Sequence, residues 1–553
     1  MNTKKHISSL LALCALVTGC NRLEQLPSNK YTDENFWKNV DNVPAMLNMG
    51  YNQMFSLGKI WQDEELSDNL VNMYATADTR LIREGQGSTS TGLFASEWRW
   101  CYEGIKTANV FLDHVDAVPV DGTKMTEAGK KRMKAEMRFI RASLFFRLTN
   151  FYGAAPFFLH DPTQAEALAT RRTPRAEIIA RLHDEIDEFI MDLPRRDDLT
   201  AAENGRITRT AAAVLKTRMY LYDGNMTEVE EWCGKLMDDP ATWGAYSLFN
   251  TATANYSAYE NLFFSAYEYN TEVILDCAAW YPNGHTWNMQ DYVPQSIQGA
   301  RVGGPNPTQS LVDDYINLDG SPYSKPAASS ATAYVYTGRD PRMTATVCYN
   351  NFVWKDKSPT GAHITQTINT SPNSSNNNGV GKNGNSTKTG YYIRKYFDVD
   401  HVTNTCEMHN NIIMMRWADV LLMYAEACAA NGHFDLAAWN RTIRPIRERA
   451  GFTASAALDY PTLSNDEMKA LIRRERRCEL ALEGLRYFDL VRWNEATSKL
   501  SGMVYGAKFY NNNTDYLSVD RYVFTDRDLL WSVPLGELEQ SQALRPNNPG
   551  YGN

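Results

Sequence analysis

Apolar residues recur at helical spacing over two long parts of this chain, and this pattern restricts the fold more than any other feature. Between residues 41 and 239, Ile179, Leu182 and Ile186 illustrate the three- to four-residue interval of an amphipathic helix. The same interval returns between Ile413 and Gly484, where the last predicted helix ends. Because such stripes must be buried against other helices, they predict a mainly α-helical protein.

Helix start and stop signals divide these two parts into short antiparallel pairs. Thr173-Pro174 is typical of a first helical turn, and Ser464 with Glu467 has the capping-box form that opens a helix. Asn431-Gly432 ends one helix, and Phe434–Arg449 is predicted to form its partner. Helix pairs of this kind predict a tetratricopeptide-like helical-repeat scaffold, although the chain has no strict repeat length.

The middle of the chain has a different character. Helical periodicity is lost there, and Pro, Gly, Asn and aromatic residues dominate. Glu272–Leu275 predicts a strand, and residues 356–390 form a polar low-complexity stretch that we expect to be a long exposed or partly disordered loop. The predicted organisation is a signal peptide over 1–19, an N-terminal helical half over 20–239, a loop-rich, aromatic-rich ligand-binding insertion over 240–400 and a C-terminal helical half over 401–553.

The first twenty residues indicate export and lipid anchoring. Lys4 and Lys5 precede the apolar stretch Leu10–Val17, which is too short to span a bilayer and suits a secretory signal. Val17-Thr18-Gly19-Cys20 has the form of a bacterial lipobox, in which the cysteine is acylated. No later segment holds about 18 consecutive uncharged apolar residues. The sequence therefore predicts a protein held at a membrane by an acyl lipid on Cys20 and not by a spanning helix.

Charge and cysteine spacing argue against two other kinds of site. The formal net charge of −9 makes a nucleic-acid-binding surface unexpected. Beyond Cys14 and Cys20, the seven remaining cysteines are scattered, without the spacing of a zinc site or a disulfide framework. We therefore expect small core residues, with one unassigned disulfide as the alternative, and we expect no metal.

No catalytic motif is present together with its required companions. The chain lacks His-Glu-x-x-His, Gly-x-Ser-x-Gly and a phosphate-binding glycine loop. Ser56–Lys59 fits Ser-x-x-Lys, but the other motifs of that class are missing. The sequence favours a protein that is not an enzyme and has no cofactor, while a glycosidase-like pair among its 65 acidic residues stays open as an alternative.

Four groups of motifs, in order behind the lipobox, carry a resemblance that covers essentially the whole mature chain. They are Ala135–Ala142 with Phe151–Pro156, Leu318–Gly320 with Arg339–Met343, Arg416–Ala427 with Ile446–Gly451, and Ile472–Arg476 with Glu483–Leu490, followed by Pro534 and Asn548–Tyr551. In this order they resemble the SusD/RagB family of outer-membrane, nutrient-binding lipoproteins. One departure is Trp417, which stands where the family usually has Tyr.

This resemblance implies a surface-exposed, glycan-binding lipoprotein of the outer membrane. Such a protein captures an oligosaccharide and delivers it to a TonB-dependent transporter of SusC type, while the motifs themselves serve as scaffold. Four arginines, Arg473, Arg474, Arg476 and Arg477, are interleaved with Glu475 and Glu479 on a predicted helix, so we interpret them as ion-paired scaffold residues. A structural helical-repeat adaptor, a peptide-binding member of the family and a hydrolase are the alternative functions.

Two aromatic-rich segments outside the periodic helices are the candidate ligand-binding loops. A sugar ring has one apolar C–H face and a rim of hydroxyls, so its site needs an aromatic platform beside polar side chains. Residues 280–292 and 67–80 combine these residue types. The predicted ligand-binding residues are Trp280, Tyr281, Trp287, Tyr292, Asn69, Tyr74 and Arg80. For any single aromatic, a core position beneath the insertion is an equally good interpretation.

Overall fold

The computed structural model describes residues 36–280, 285–301, 303–358, 360–402, 404–509 and 515–552. The predicted signal peptide, the lipidation site Cys20 and the predicted ligand contact Tyr281 lie outside these ranges. None of the helices in the described ranges combines the length and apolarity that a bilayer-spanning segment needs.

Helices dominate the structure. In chain order, the α-helices are α1 (Asn42–Met54), α2 (Lys59–Glu65), α3 (Asp78–Arg83), α4 (Gly92–His114), α5 (Glu127–Tyr152), α6 (Gln164–Ala169), α7 (Arg175–Phe189), α8 (Arg209–Tyr222), α9 (Met226–Asp238), α10 (Pro240–Trp243), α11 (Ala258–Asn261), α12 (Gln309–Asp314), α13 (Pro341–Thr346), α14 (Trp417–Ala430), α15 (Leu436–Arg441), α16 (Ile443–Ala450), α17 (Ser455–Leu458), α18 (Asn465–Glu479), α19 (Arg486–Arg492), α20 (Ala496–Lys499) and α21 (Leu535–Gln540).

The strands are short and form two-stranded antiparallel pairs. They are β1 (Leu70–Val71), β2 (Val273–Cys277), β3 (Trp287–Asn288), β4 (Asn306–Pro307), β5 (Val347–Cys348), β6 (Phe352–Lys357), β7 (His363–Ile368), β8 (Tyr392–Ile393), β9 (Glu407–Met408), β10 (Ile412–Arg416), β11 (Gly502–Lys508) and β12 (Tyr516–Tyr522). The pairs are β1–β4, β2–β10, β3–β9, β5–β8, β6–β7 and β11–β12.

Local sequence signals explain where the long helices begin and end. The Thr126 side chain accepts a hydrogen bond from the Gly129 N–H at the start of α5, and Gly153 follows that helix with φ 69°, a conformation that favours glycine. Ser464 and Glu467 form the predicted capping box at the start of α18. These contacts span only a few residues, and for that reason a sequence pattern is enough to predict them.

Helices from both ends of the chain pack into one continuous core. Helix α4 packs against α5, α9 against α14, and α14 against α18. The same core extends from α1 to α21, and it includes Leu421 of α14, which is only 4 % exposed. This arrangement confirms the predicted mainly α-helical scaffold of packed helix pairs.

Strand β10 corrects one predicted helix boundary. Ile413 was expected on the apolar face of a helix, but it lies in β10, opposite Asp276 of β2, and the helix begins at Trp417. The predicted strand near Glu272–Leu275 is confirmed as β2. Pairing with β2, which lies far away in sequence, supplies the hydrogen bonds that keep residues 412–416 extended.

Two further helices end earlier than their periodicity predicts. The expected helix Phe434–Arg449 is divided into α15 and α16, because Pro445 has no N–H to donate to the Arg441 carbonyl. The helix expected to reach Gly484 ends at Glu479. Its last carbonyl oxygen accepts hydrogen bonds from the hydroxyl of Tyr259 at 2.6 Å and from Arg416 at 2.8 Å, so partners from elsewhere in the fold replace the next helical turn.

The insertion builds a second core, which α2 and residues after α18 also enter. Part of the polar stretch 356–390, expected as an exposed or disordered loop, is folded against this core. Asn378 is fully buried, and its side chain accepts from the Ser296 N–H at 2.9 Å and donates to the Ser296 hydroxyl at 2.7 Å. The expectation is wrong here because polar side chains satisfy buried backbone and hydroxyl groups.

A buried ion-pair network joins the insertion to the C-terminal helices. The Glu479 carboxylate lies between Arg342, Arg416 and Arg449, all with side chains at most 1 % exposed. Arg416 also contacts Glu272, at 2.7 Å between Nη1 and Oε1. Glu479 and its three arginines come from α13, β10, α16 and α18, and Glu272 directly precedes β2, so the network holds these elements at fixed positions.

Three of the four arginines of α18 are ion-paired, as predicted, whereas Arg474 forms no ion pair within the described ranges. Arg476 contacts Asp419 at 2.6 Å, Arg477 contacts Asp314 at 2.6 Å, and Arg473 contacts a glutamate that follows α19. Arg476 and Arg477 are buried. Their charges therefore stabilise the packing of helices instead of facing a ligand.

Candidate functional site

The segment 67–80 is fixed to the scaffold by buried polar contacts. Asp68 forms ion pairs with Arg477 at 3.0 Å and with Arg486 at 2.8 Å. Burial alone would raise the pKa of Asp68, but these guanidinium groups hold it well below its usual range. Strand β1 pairs with β4, and this pairing fixes the direction in which the chain continues from β1 to Tyr74.

Tyr74 lies at the exposed end of this segment, and the structure brings it together with the other predicted loop. Tyr74 is 47 % exposed. Partial burial and the Asp291 carboxylate raise the pKa of the Tyr74 phenol, and the Arg301 guanidinium opposes them. Arg301 and Asp291 form a bidentate pair, with N···O distances of 3.0 and 2.6 Å. We call Tyr74, Asp291, Arg301 and Tyr292 the Tyr74 surface.

Backbone contacts hold the Asp291 side of the Tyr74 surface in place. The Arg301 N–H donates to the Gln290 carbonyl at 2.8 Å, and the Gly304 N–H donates to the Asp291 carbonyl. A Cβ at position 304 would lie 2.7 Å from that carbonyl oxygen, so only glycine permits the approach. The loop is therefore closed on itself by its own backbone.

Aromatic stacking supports the Tyr74 surface from below. Tyr292 stacks on Trp61, with ring centroids 4.9 Å apart and an interplanar angle of 30°. Trp61 is buried in the second core, whereas Tyr292 is half-buried. Burial raises the pKa of the Tyr292 phenol well above its usual range, so this group stays neutral and can donate a hydrogen bond at neutral pH.

Two of the predicted ligand contacts are core residues in the structure. Trp287 is 8 % exposed and donates its indole N–H to the Asn410 carbonyl at 2.9 Å. Asn69 is fully buried between Glu64 and Arg477. Its side-chain nitrogen donates to the Glu64 carboxylate at 2.8 Å, and its side-chain oxygen accepts from the Arg477 guanidinium at 3.0 Å. Neither side chain offers a free surface to a ligand, because the core and internal hydrogen bonds occupy both.

The remaining predicted residues differ in their exposure. Trp280 is 64 % exposed, beside an antiparallel bridge to His285. Arg80 is half-buried and forms ion pairs with Glu84 at 2.8 Å and Asp520 at 2.9 Å. Trp280 therefore presents a free aromatic ring, whereas the Arg80 charge is already neutralised by two carboxylates.

Comparison with known proteins assigns the family. The sequence model of the SusD family matches residues 271–551, and a second model, described as starch-binding associating with outer membrane, matches residues 23–221. This chain belongs to the SusD family.

The likeness extends over the whole chain. SusD-like protein P2 of Formosa agariphila is 23 % identical over 575 residues, which cover 99 % of this chain and 100 % of that relative. The fold is similar to that of a SusD-like carbohydrate-binding protein from Bacteroides fragilis NCTC 9343, with a TM-score of 0.79, 23 % identity and coverage of 92 % of this chain and 100 % of that one. Surface glycan-binding protein A from Bacteroides fluxus has a TM-score of 0.66 and 19 % identity, with coverage of 92 % and 99 %.

Several residues of this candidate site were not predicted from the sequence. Asp291 directly precedes Tyr292 inside the predicted loop, and this position in the sequence could have identified it as a site residue. No sequence signal pointed to Arg301 or Lys388, because their position near Tyr74 depends on the fold. The Lys388 ammonium group donates to the Met73 carbonyl at 3.2 Å and so borders the same segment.

A concave feature separate from the Tyr74 surface lies beside the β11–β12 hairpin. It is a cavity of about 890 Å³. Its lining is mainly polar and aromatic and includes Asp68, Gln309, Asp313, Lys325, Tyr505, Tyr516 and Tyr522. Tyr505 is 47 % exposed, like Tyr74. The periodic helices gave no reason to expect this cavity, since the hairpin that borders it has no distinctive motif.

Proposed function

We propose that this SusD-family protein is a surface lipoprotein of the outer membrane that binds an oligosaccharide at the Tyr74 surface. The observation that carries the proposal is the meeting of two separately predicted loops around Tyr74, Asp291 and Arg301. In this proposal the protein then delivers the glycan to a TonB-dependent transporter of SusC type. The match to a starch-binding family model and the similarity of fold to the surface glycan-binding protein of Bacteroides fluxus support carbohydrate as the ligand class.

The chemistry of the Tyr74 surface suits a sugar. The partly exposed Tyr74 ring provides an apolar platform for the C–H face of a pyranose, as aromatic rings do for other flat ligands. The neighbouring Asp291–Arg301 pair provides acceptors and donors for the hydroxyl rim. Trp280, which is 64 % exposed, and Tyr281 are further proposed ligand contacts, while the buried Trp287 and Asn69 act as supports.

The Tyr74→Ala variant should weaken glycan binding by about 1–3 kcal/mol, or roughly five- to 150-fold in affinity, because it removes one stacking platform. Tyr505→Ala is the matched control, since Tyr505 is equally exposed but lines the 890 Å³ cavity beside the β11–β12 hairpin. Isothermal titration calorimetry against a panel of soluble oligosaccharides, with a melting curve for each variant, gives the measurement. Loss of affinity in Tyr505→Ala alone would move the site to the 890 Å³ cavity.

Lipid anchoring has its own test. We expect Cys20→Ser to be exported but released from the outer membrane, because removal of the acyl chains removes the apolar area that holds the protein there. Membrane fractionation and labelling with radioactive palmitate provide the measurement. Cys101→Ser, which changes a buried cysteine of α4, is the control that should keep the label. Unchanged membrane partition of Cys20→Ser, with no label in the wild type, would contradict the lipid anchor.

Transporter partnership and the absence of catalysis are parts of the same proposal. A SusC-type transporter should copurify with the lipid-anchored protein from detergent-solubilised membranes. The bound glycan should keep its length during prolonged incubation, as measured by chromatography of the recovered ligand. Cleavage of the glycan would instead favour the hydrolase, binding of peptides alone would favour a peptide-binding protein, and binding of neither ligand would favour a structural adaptor.

A further inference from the structure

Three potential metal ligands from different parts of the sequence meet where α9 packs against the end of α14. Glu230 lies on α9, Cys428 lies in the last turn of α14, and His433 follows that helix. One carboxylate oxygen, the thiol sulfur and one imidazole nitrogen lie within 4.8 Å of one another. All seven cysteines in the described ranges are buried and none forms a disulfide, so Cys428 has a free thiol.

We propose that Glu230, Cys428 and His433 bind one zinc ion. Thiolate, imidazole and carboxylate are the three ligand types of protein zinc sites, and a cysteine together with a histidine favours zinc over calcium or magnesium. Zinc–ligand bonds of about 2.0–2.3 Å place tetrahedral ligand atoms about 3.5 Å apart. The longest separation therefore needs to shorten by only about 1 Å, and the 2.7 Å contact between Glu230 and His433 needs to lengthen by a similar amount, which rotation of the exposed His433 ring can help to supply.

Neighbouring groups already orient the carboxylate of Glu230. Its Oε1 atom lies 2.7 Å from Nε2 of His433, and its Oε2 atom accepts from the Asn431 side chain at 2.8 Å. Zinc would take the place of the His433 contact, while the Asn431 amide would keep holding the second oxygen. Such an outer hydrogen bond is what fixes ligand orientation in protein metal sites.

The electrostatic surroundings favour a cation. The site lies at the C-terminal end of α14, where the helix dipole is negative. Asp435 adds acidic charge nearby, and Lys235 and Glu231 neutralise each other as an ion pair at 2.6 Å. Arg441 lies over the Tyr424 ring, at 5.3 Å from its centroid, and is paired with Asp238. Basic groups near the site are therefore partly neutralised.

Solvent has access to the fourth coordination position. Glu230 and His433 line an open cavity of about 690 Å³, so water can complete the tetrahedron on that side. On binding, the Cys428 S–H bond breaks, the sulfur donates its electron pair to Zn²⁺, and the proton passes to solvent. Without a metal, an exposed Glu230–His433 pair contributes little to stability, which leaves this convergence of three ligand types unexplained.

Zinc titration of the full mature chain tests the proposal. The protein is prepared without an affinity tag, treated with chelator and titrated with Zn²⁺ against a chromophoric zinc indicator. We expect one zinc per chain. Cys428→Ser and His433→Ala should each lower the affinity by at least about 100-fold, beyond the roughly 10–100-fold effect of losing an outer partner. Cys233→Ser, which changes a buried cysteine of α9 outside the trio, is the control.

Cobalt substitution identifies the ligand atoms directly. Co²⁺ bound by the wild type should show a thiolate-to-cobalt charge-transfer absorption in the near ultraviolet, and Cys428→Ser should lack it. His433→Ala alters an exposed side chain, so it keeps the test valid even where the serine variant unfolds. Absence of stoichiometric binding, or unchanged affinity in His433→Ala, would overturn the proposal. Neither readout uses glycan, so these outcomes are independent of the proposed function.

Discussion

The Glu479→Gln variant is expected to lower the free energy of unfolding by about 3–5 kcal/mol, because it removes the central charge of the buried network. One oxygen of Glu479 accepts from Arg416 at 2.7 Å and also from Arg449, and the other accepts from Arg342 at 3.0 Å. The amide would leave three buried guanidinium groups short of one negative charge. It would also place an N–H donor where only an acceptor fits.

Urea unfolding followed by circular dichroism measures this effect. Glu448→Gln is the matched control, since Glu448 pairs with Arg444 at 2.9 Å on an exposed part of α16. Removing an exposed pair should cost less than about 1 kcal/mol. A loss of similar size in both variants would show that the Glu479 network does not stabilise the junction between the insertion and the helices.

The Leu421→Asp variant should destabilise the helical scaffold by about 3 kcal/mol or more. Leu421 is 4 % exposed in the middle of α14, so a carboxylate there must be buried or the helix must separate from its neighbours. Leu436→Asp is the control: Leu436 is 54 % exposed in the first turn of α15, where an acidic side chain is tolerated. We expect a change of at most about 0.5 kcal/mol there.

Thermal unfolding monitored by circular dichroism compares the two aspartate variants with the wild type. A melting temperature of Leu421→Asp within a degree or two of the wild-type value would contradict the buried position of this face of α14. A strongly lowered melting temperature in Leu436→Asp would indicate that any aspartate in this region is harmful, and the comparison would then say nothing specific about Leu421.

The sequence predicted the helical scaffold because its evidence is local. Apolar spacing defines the buried face of a helix such as α7, and the Ser464–Glu467 capping box defines a start, within a few residues of chain. The helix boundaries that the sequence did not predict are set by contacts with residues far away along the chain. Pairing with strand β2 keeps residues 412–416 in an extended conformation. Tyr259 and Arg416 donate hydrogen bonds to the last carbonyl oxygen of α18.

The candidate site also has one part that the sequence predicted and another that depends on the tertiary structure. Aromatic and polar composition alone marked the two segments that contain Tyr74 and Tyr292. Composition could not separate a surface ring from a core ring, and Trp287 lies in the core, whereas Trp280 is exposed. That difference depends on which neighbours cover each ring, and those neighbours come from other parts of the chain.

By itself, then, the sequence determined the helix pairs, the family and the two loops that meet at the Tyr74 surface, because spacing, caps and motifs are properties of short stretches. Only the tertiary structure placed Asp291 and Arg301 beside Tyr74, buried Asn69 between Glu64 and Arg477, and brought Glu230 to Cys428. Apart from the local Asn69–Glu64 contact, these contacts join residues that lie farther apart along the chain. Their proximity follows from how helices and loops share a core, which no local pattern encodes.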